Sequence, residues 1–441
     1  MPTRRQILLS TAAMGLAGAG ALAGCTREGP ADTAAAADTL RMRVWDDAAA
    51  AAYETSLEAF TRKTGIAVEV EVVVWDDYWK QLPLDVADEA LPDVLWMNTA
   101  NLAGTRAGGT LLELGEIVGD QASQWEETAT DLYRIDGALW GVPQIWDQSI
   151  LLAHHELVTE ADGDASALTF DPGAPSDPLR ELARRITVDA EGLHPGDEGF
   201  DDSSRTVFGF GSHPDRTAVL GPFIAAQGGA WQDAEGEFVF ASPEGVSAVQ
   251  YLADLAADHL APAGAETVAD DRLCQSLFLE GKLGLLQTGT YDLHTVREGI
   301  ADSFDWSVHP VVAGSEGPRP LVHAVAALGV DPGDEDRAAD IGELLTWLGS
   351  VEGQRPLAEN LLGIPAHREL HGTWQKAWEN AGVDVSALAT APAEPALPER
   401  GNRSAEGTEA ALPIIAKVFQ GEETAEQALP VAQKEARAAR H

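Results

Sequence analysis

The chain has 441 residues, with 71 Asp or Glu against 29 Lys or Arg, so its formal net charge is −42. That charge repels a phosphate backbone and argues against nucleic acid as a partner. Its acids are scattered and not blocked, as on a solvated surface and not in a disordered acidic tail. The length exceeds one ordinary core and suits two lobes.

The chain opens with the twin-arginine pair Arg4-Arg5, and from Ile7 to Ala23 every residue is apolar or small apart from Ser10 and Thr11. A basic start, a short apolar stretch and a small-residue exit read as an export signal over residues 1–24. The stretch is marginal for a spanning helix, which needs about 20 apolar residues. Leu22-Ala23-Gly24-Cys25 resembles a bacterial lipobox, which implies cleavage before Cys25 and a diacylglycerol on its sulfur. The arginine pair resembles a twin-arginine export signal, with a general secretory signal as the alternative. Residues 25–39, rich in Ala, Asp, Gly and Thr, hold little to bury and read as a lipidated tether. These features place the mature protein on the extracellular face of the cell membrane. With Cys25 taken by lipid, Cys274 has no disulfide partner. In the helix-like run Arg272–Phe278 it reads as a buried structural thiol.

Leu40–Val44 alternates apolar and polar residues and predicts a first strand. A helix follows from Ala48 to Lys63, with Asp46 or Asp47 as its cap and Gly65 as its stop. Ile66–Val74 predicts a second strand, Trp75-Asp76-Asp77-Tyr78-Trp79 opens a second helix, and Pro92–Asn98 predicts a third strand buried on both faces. Strand, helix, strand, helix, strand is the pattern of a parallel α/β sheet. Such sheets bind ligands beyond the carboxyl ends of their strands. Trp45, Asp46, Trp75 and Asn98 lie at those ends and are candidate ligand contacts. Further on, Leu139–Pro143 predicts a short strand after the Asp136-Gly137 turn, Ile150–His154 another, and Gly281–Gln287 a third. Ser242-Pro243-Glu244 opens a helix that runs to about His259. Pro172–Pro178 and Glu191–Ser204 read as surface loops. His154-His155 falls in a predicted strand, where the two rings point to opposite faces, so it does not make a metal site. No cofactor is expected.

Four stretches then carry a resemblance: Phe60–Val68 (F-x-x-x-T-G-I-x-V), Leu91–Asn98, Tyr133–Pro143, and Leu277–Leu285, which contains Phe278-Leu279-Glu280-Gly281-Lys282. In this order and behind a lipobox they resemble the bacterial extracellular solute-binding proteins of the carbohydrate-binding, maltose-binding type. The chain departs from that pattern at Ala153-His154-His155, where the family often has Tyr-Asn-Lys. The resemblance implies a two-lobed α/β periplasmic-binding-protein fold of type II, hinged about a ligand cleft. It implies crossovers near Ser149–Leu152 and Leu321–Val325, and a return near Gly363–Arg368 that sends the tail onto the second lobe. The expected division is residues 40–149 and 322–363 for lobe 1, and 150–321 and 364–441 for lobe 2. The implied function is capture of a sugar, without catalysis, by a monomer that delivers it to the permease subunits of an ABC transporter.

A sugar needs aromatic plates for its ring faces and planar polar groups for its hydroxyls. The resemblance therefore adds Trp146 and Asp147 before the first crossover, Trp231 after Gly228-Gly229, and Tyr291 with Asp292 after the Phe278 block. It also adds His323 on the second crossover and Arg403 in a late loop. A cationic ligand or a glycerol phosphate on the same fold is an alternative ligand. An exported carbohydrate-active enzyme or a sensor lipoprotein is an alternative class. The sequence has no Gly-x-Ser-x-Gly elbow or His-Glu-x-x-His pair, and its many acids make any carboxylate pair uninformative.

Overall fold

A computed structural model describes residues 39–388 and 391–440. The export signal, Cys25 and all but the last residue of the tether lie outside the described residues. Strand β1 (Thr39–Val44) pairs in parallel with β2 (Ala67–Val72) and with β3 (Val94–Met97), setting Leu40 beside Val68 and Met42 beside Val94. All four residues of β3 are buried. The helix Asp47–Thr64 links the first two strands. Asp46 caps its start by accepting from the Ala49 amide at 2.7 Å, and Gly65 ends it at φ +84°. The helix Trp75–Ala87 links β2 to β3.

A hairpin of β4 (Arg134–Ile135) and β5 (Ala138–Leu139) follows, turning at Asp136 and Gly137, both with positive φ. The strand expected over Leu139–Pro143 is broken at Trp140-Gly141. Gly141 sits so close to its neighbours that a Cβ there would lie 2.7 Å from the Ala326 Cβ. Strand β6 then runs from Val142 to His154, thirteen residues, all buried, and joins Val142-Pro143 to Ile150–His154, which the sequence pattern places in two separate strands.

In chain order there follow β7 (Val188–Asp189), β8 (Arg205–Phe210), β9 (Leu283–Gly289), β10 (Trp306–His309), β11 (Val322–Gly329) and β12 (Ile364–Pro365). The hydrogen-bonded order is β2-β1-β3-β11-β6-β9-β8-β7, with β10 and β12 also on β6. Strand β6 changes neighbour midway: Val142–Gln148 pair with β11, and Ser149–Ala153 with β9. One strand is thus shared by two sheet regions. The His154-His155 doublet is not within a strand, because β6 ends between them. His155 opens the helix His155–Glu160, and the His154 ring stacks on Phe304 at 4.0 Å. Among the described residues, no group of three or more His, Cys, Asp or Glu is placed to hold a metal ion.

Two cores lie on either side of this shared strand. Tyr53, Phe60, Trp96, Trp125 and Leu345 belong to the first, and Phe210, Phe223, Tyr251, Phe419 and Leu429 to the second. The tail departs from the expected division. The helix His371–Asn380 packs on the helix Val351–Glu359, and Trp374, Trp378 and Leu388 join the first core. The cause is local: β12 pairs with the first half of β6 (Ile364 beside Trp146), and only a short turn separates it from that helix. The Trp374 indole then donates to the Leu362 carbonyl at 2.7 Å. Among the described residues of the tail, only the helices Ser404–Phe419 and Ala425–Ala439 reach the second core. Cys274, Phe278 and Leu293, expected in the second lobe, are continuous with the first core. Burial pushes the Cys274 thiol up to about 12, as for an inert packed sulfur.

Candidate ligand cleft

A cavity of about 570 Å³ opens at the carboxyl ends of β1 and β3 and extends across β6 and β11. Trp45 follows β1 and sits within an aromatic group, its ring centroid 5.3 Å from Trp75, 5.2 Å from Tyr78, 5.3 Å from Trp79 and 5.0 Å from Trp96. Trp75 and Trp79 are one helical turn apart and share a face. Trp79 packs inward on Trp45, while Trp75 remains 50% exposed and lines the cleft. Asp46 and Asn98 also line it, and each caps a helix. The Asn98 Oδ1 accepts from the Asn101 amide at 3.1 Å and from the Asn101 Nδ2 at 3.0 Å.

Asp147 on β6 and His323 on β11 stand directly opposite each other in the antiparallel ladder. Asp147 is only 3% exposed, and the Thr290 hydroxyl donates to its Oδ1 at 2.6 Å. Burial pushes the Asp147 carboxyl above the usual carboxylate range, against the opposing pull of His323 and Thr290. Burial likewise pushes the His323 imidazole down, opposed chiefly by Asp147. Each shift favours the neutral form, the expected response of titratable groups in a dry wall. Tyr291 stands beside them, 42% exposed, its ring centroid 5.5 Å from that of His323. The ring lies over Gly289, where a Cβ would fall 2.0 Å from Tyr291 Cε1.

Asp215 and Glu399 complete the wall, and the sequence reading missed both. Asp215 caps the turn Arg216–Leu220 by accepting from the Ala218 amide. Glu399 lies on the segment 394–400, which runs past the second core. Its Oε1 pairs with Arg216 Nε at 3.2 Å, and Arg216 Nη2 donates to the Leu397 carbonyl at 3.2 Å. The Arg216 guanidinium, only 5% exposed, also lies 5.1 Å from the Trp231 ring centroid. The segment is further tied by the Val322 amide to Ala396 O at 3.1 Å and the Ala396 amide to Pro320 O at 2.9 Å. About 180 residues separate Arg216 from this segment, so no local motif announces the pair.

Four expected residues lie elsewhere. Trp146 neighbours Asp147 on an extended strand, so it points to the opposite side and is fully buried in the first core. Trp231 is 4% exposed, stacks on Phe240 at 4.3 Å and donates to Thr408 Oγ1 at 3.1 Å, bordering a neighbouring groove and not the cleft. Asp292 accepts from the Thr288 hydroxyl and faces a separate depression with Arg272 and Gln275. Arg403, at φ +51°, precedes the helix Ser404–Phe419 and pairs with Glu406 at the surface. The structure brings Trp45, Asp46, Trp75, Asn98, Asp147, Tyr291 and His323 together around one cavity.

The model of the bacterial extracellular solute-binding protein family matches residues 44–355. Among solved structures, M. tuberculosis UspC is 30% identical, covering 91% of this chain and 100% of its own, with a TM-score of 0.78. An ABC transporter solute-binding protein from Thermotoga lettingae, bound with α-D-tagatose, is 18% identical over 92% of this chain and 100% of its own, with a TM-score of 0.72. The GacH receptor of Streptomyces glaucescens, solved unliganded and with acarbose, is 18% identical over 91% of this chain and 98% of its own, also at 0.72. No helix among the described residues is long and apolar enough to cross a membrane. With its two cores, shared strands and intervening cleft, the chain belongs to the bacterial extracellular solute-binding protein family and has that family's two-lobed type II fold.

Proposed function

We propose that the protein captures a sugar outside the cell, held at the membrane by lipid on Cys25, and delivers it to the permease subunits of an ABC importer. The observation that carries this reading is the pairing of surfaces across the cleft. Trp45 and Trp75 present apolar rings from the ends of β1 and β2, and Tyr291 presents one from the end of β9, with carboxylates and an amide between them. Ring faces and hydroxyl-accepting groups in alternation suit a carbohydrate. The relatives solved with tagatose and acarbose support the same ligand class. Binding is the whole task in this reading, and no residue is assigned to catalysis.

A thermal-shift screen of the mature protein against neutral sugars, amino sugars, glycerol phosphates and polyamines tests it, because a ligand raises the unfolding midpoint by mass action. Sugars are expected to raise it and glycerol phosphates not, since the cleft is lined by carboxylates. A shift by polyamines alone would sink the sugar reading. The anchor has its own test: Cys25→Ser is expected to release the protein from the membrane fraction into the medium. Retention of the variant would count against lipid at Cys25.

A further inference from the structure

The helix Ser404–Phe419 begins against its own local preferences. A helix start favours Ser, Thr, Asp or Asn in extended backbone just before the first turn, its side chain closing on a backbone amide. Here Arg403 holds that place at φ +51°, in the left-handed region that side-chained residues seldom adopt, and no described side chain caps the helix. Ser404, a residue of the capping type, stands one position too late. It is fully buried, and its hydroxyl donates not within its own helix but to the Ala100 carbonyl at 3.2 Å. Ala100 borders the cavity in the first turn of the helix Thr99–Ala107, which Leu102 anchors in the first core. Ala411, Ile415 and Phe419 root the helix Ser404–Phe419 in the second core. The hydrogen bond therefore joins the two cores away from the strands they share. One turn beyond Ala100, Gly104 faces the same neighbour: a Cβ there would lie 3.7 Å from Asn402 Oδ1. Small residues at both positions let the helix start come this close.

The loop that carries Ser404 is fixed to the second core. Arg440 Nε donates to the Asn402 carbonyl at 3.2 Å and its Nη1 to the Gly236 carbonyl, with Glu237 as its ion-pair partner at 3.0 Å. On the facing side, Asn98 caps the helix Thr99–Ala107 and lines the cleft. A backbone held in a sparsely populated region persists only where its surroundings impose it, and such positions cluster at sites and moving parts. We propose that Ser404 is a latch: its bond to Ala100 holds the two cores together at the edge of the cleft and sets the balance between open and closed arrangements. Rotation of one core about the shared strands pulls the hydroxyl off its carbonyl. A hydrogen bond of this kind shifts such a balance about fivefold. Ser404 does not line the cavity. It therefore changes the affinity for every solute by one factor, through the fraction of closed molecules, whether or not that solute is a sugar.

The test reads the balance directly, in the mature chain with no sugar added. Spin labels are placed at Lys80→Cys and Lys434→Cys, exposed positions on helices of the first and second core. A Cys25→Ser background leaves the buried Cys274 as the other thiol. The parent is expected to show a shorter and a longer distance between labels, and Ser404→Ala to lower the ratio of short to long about fivefold. Gly104→Phe, which sets a ring between the two helices, should leave the longer distance alone. Phenylalanine is a better helix former than glycine, so its unfolding midpoint should not fall below the parent's. Gly104→Ala, whose Cβ makes ordinary contact at 3.7 Å, should keep the parent's distances. The parent's distribution persisting in both Ser404→Ala and Gly104→Phe would overturn the latch, and so would a parent that shows only the longer distance. Should Ser404→Ala fail to fold, Gly104→Phe decides alone, and the parent's distances in it would overturn the latch.

Discussion

Tyr291 owes its position to an absence two residues earlier. Gly289 has extended backbone, so alanine is conformationally acceptable there, yet its Cβ would strike the Tyr291 ring at 2.0 Å. Tyr291→Ala removes an exposed plate without opening a core cavity. It is expected to weaken sugar binding about tenfold, near the 1.4 kcal/mol that such a factor represents, with an unchanged unfolding midpoint. Gly289→Ala is expected to lose a similar factor by displacing the ring. The double variant should then lose little more than either single one, since both remove the same contact. Fully additive losses, measured by titration calorimetry, would show that Gly289 does not act through Tyr291. Asp147 gives a second test at this scale. Its carboxyl is raised by burial, so below the ordinary carboxylate range it is protonated in both folded and unfolded chains and costs nothing. As pH rises through the folded value, the charge appears in a dry wall and stability is lost. Asp147→Asn keeps an oxygen for Thr290 and does not titrate. Its unfolding midpoint is expected to exceed that of the parent at neutral pH, with the gap closing as pH falls toward about 4. A gap independent of pH would refute the assignment. The sequence showed Asp147 and Trp146 as equal candidates. Only the true start of β6 at Val142 makes them alternate faces of one long strand, and a strand taken to begin at Ile150 does not reach them.

Among the elements, local signals were read well and distant ones were not. The Asp46 cap, the Gly65 stop and the parallel order of β1, β2 and β3 were legible, because each depends on residues a few positions apart. The segment 394–400 carries no such signal. Its place is fixed by Arg216, by the bridge between Leu321 and Ala396, and by Arg400, whose amide donates to Gln232 Oε1 at 3.0 Å. Acidic residues are so frequent that Glu399 did not stand out. Arg216 is therefore a test of the element and not only of a residue. Arg216→Met keeps bulk beside Trp231 but frees Glu399 and the Leu397 carbonyl. Removing one partner of a buried pair typically costs about 3–5 kcal/mol, and Glu399 is partly solvated, so a loss near the lower figure is expected in denaturant unfolding. Glu399→Gln should cost less, because an amide oxygen still accepts from the guanidinium. A loss below about 1 kcal/mol for Arg216→Met would mean that the segment is held without it.

For the whole molecule, electrostatics set two effects against each other. Surface ion pairs such as Arg62–Glu58 and Lys376–Glu379 are attractions that salt weakens, and exposed pairs of this kind are worth at most about 1 kcal/mol each. Against them stands the mutual repulsion of a chain with net charge −42, which salt also weakens, in the stabilising direction. With 71 acids and 29 bases, most carboxylates have no basic partner to lose, so the repulsive term prevails. The buried contacts of Arg43 with Glu71 and Asp85 are shielded from solvent on the arginine side and respond least. The Debye length falls from about 30 Å at 0.01 M to about 10 Å at 0.1 M, a range over which neighbouring surface acids cease to sense one another. The unfolding midpoint is therefore expected to rise across that interval and to flatten above it, with sodium chloride and choline chloride giving the same curve at equal ionic strength. A midpoint that is flat or falls over 0.01–0.1 M would show that the paired charges outweigh the unpaired ones. A rise confined to molar salt would point to exclusion of salt from the surface, and not to screening, as its source.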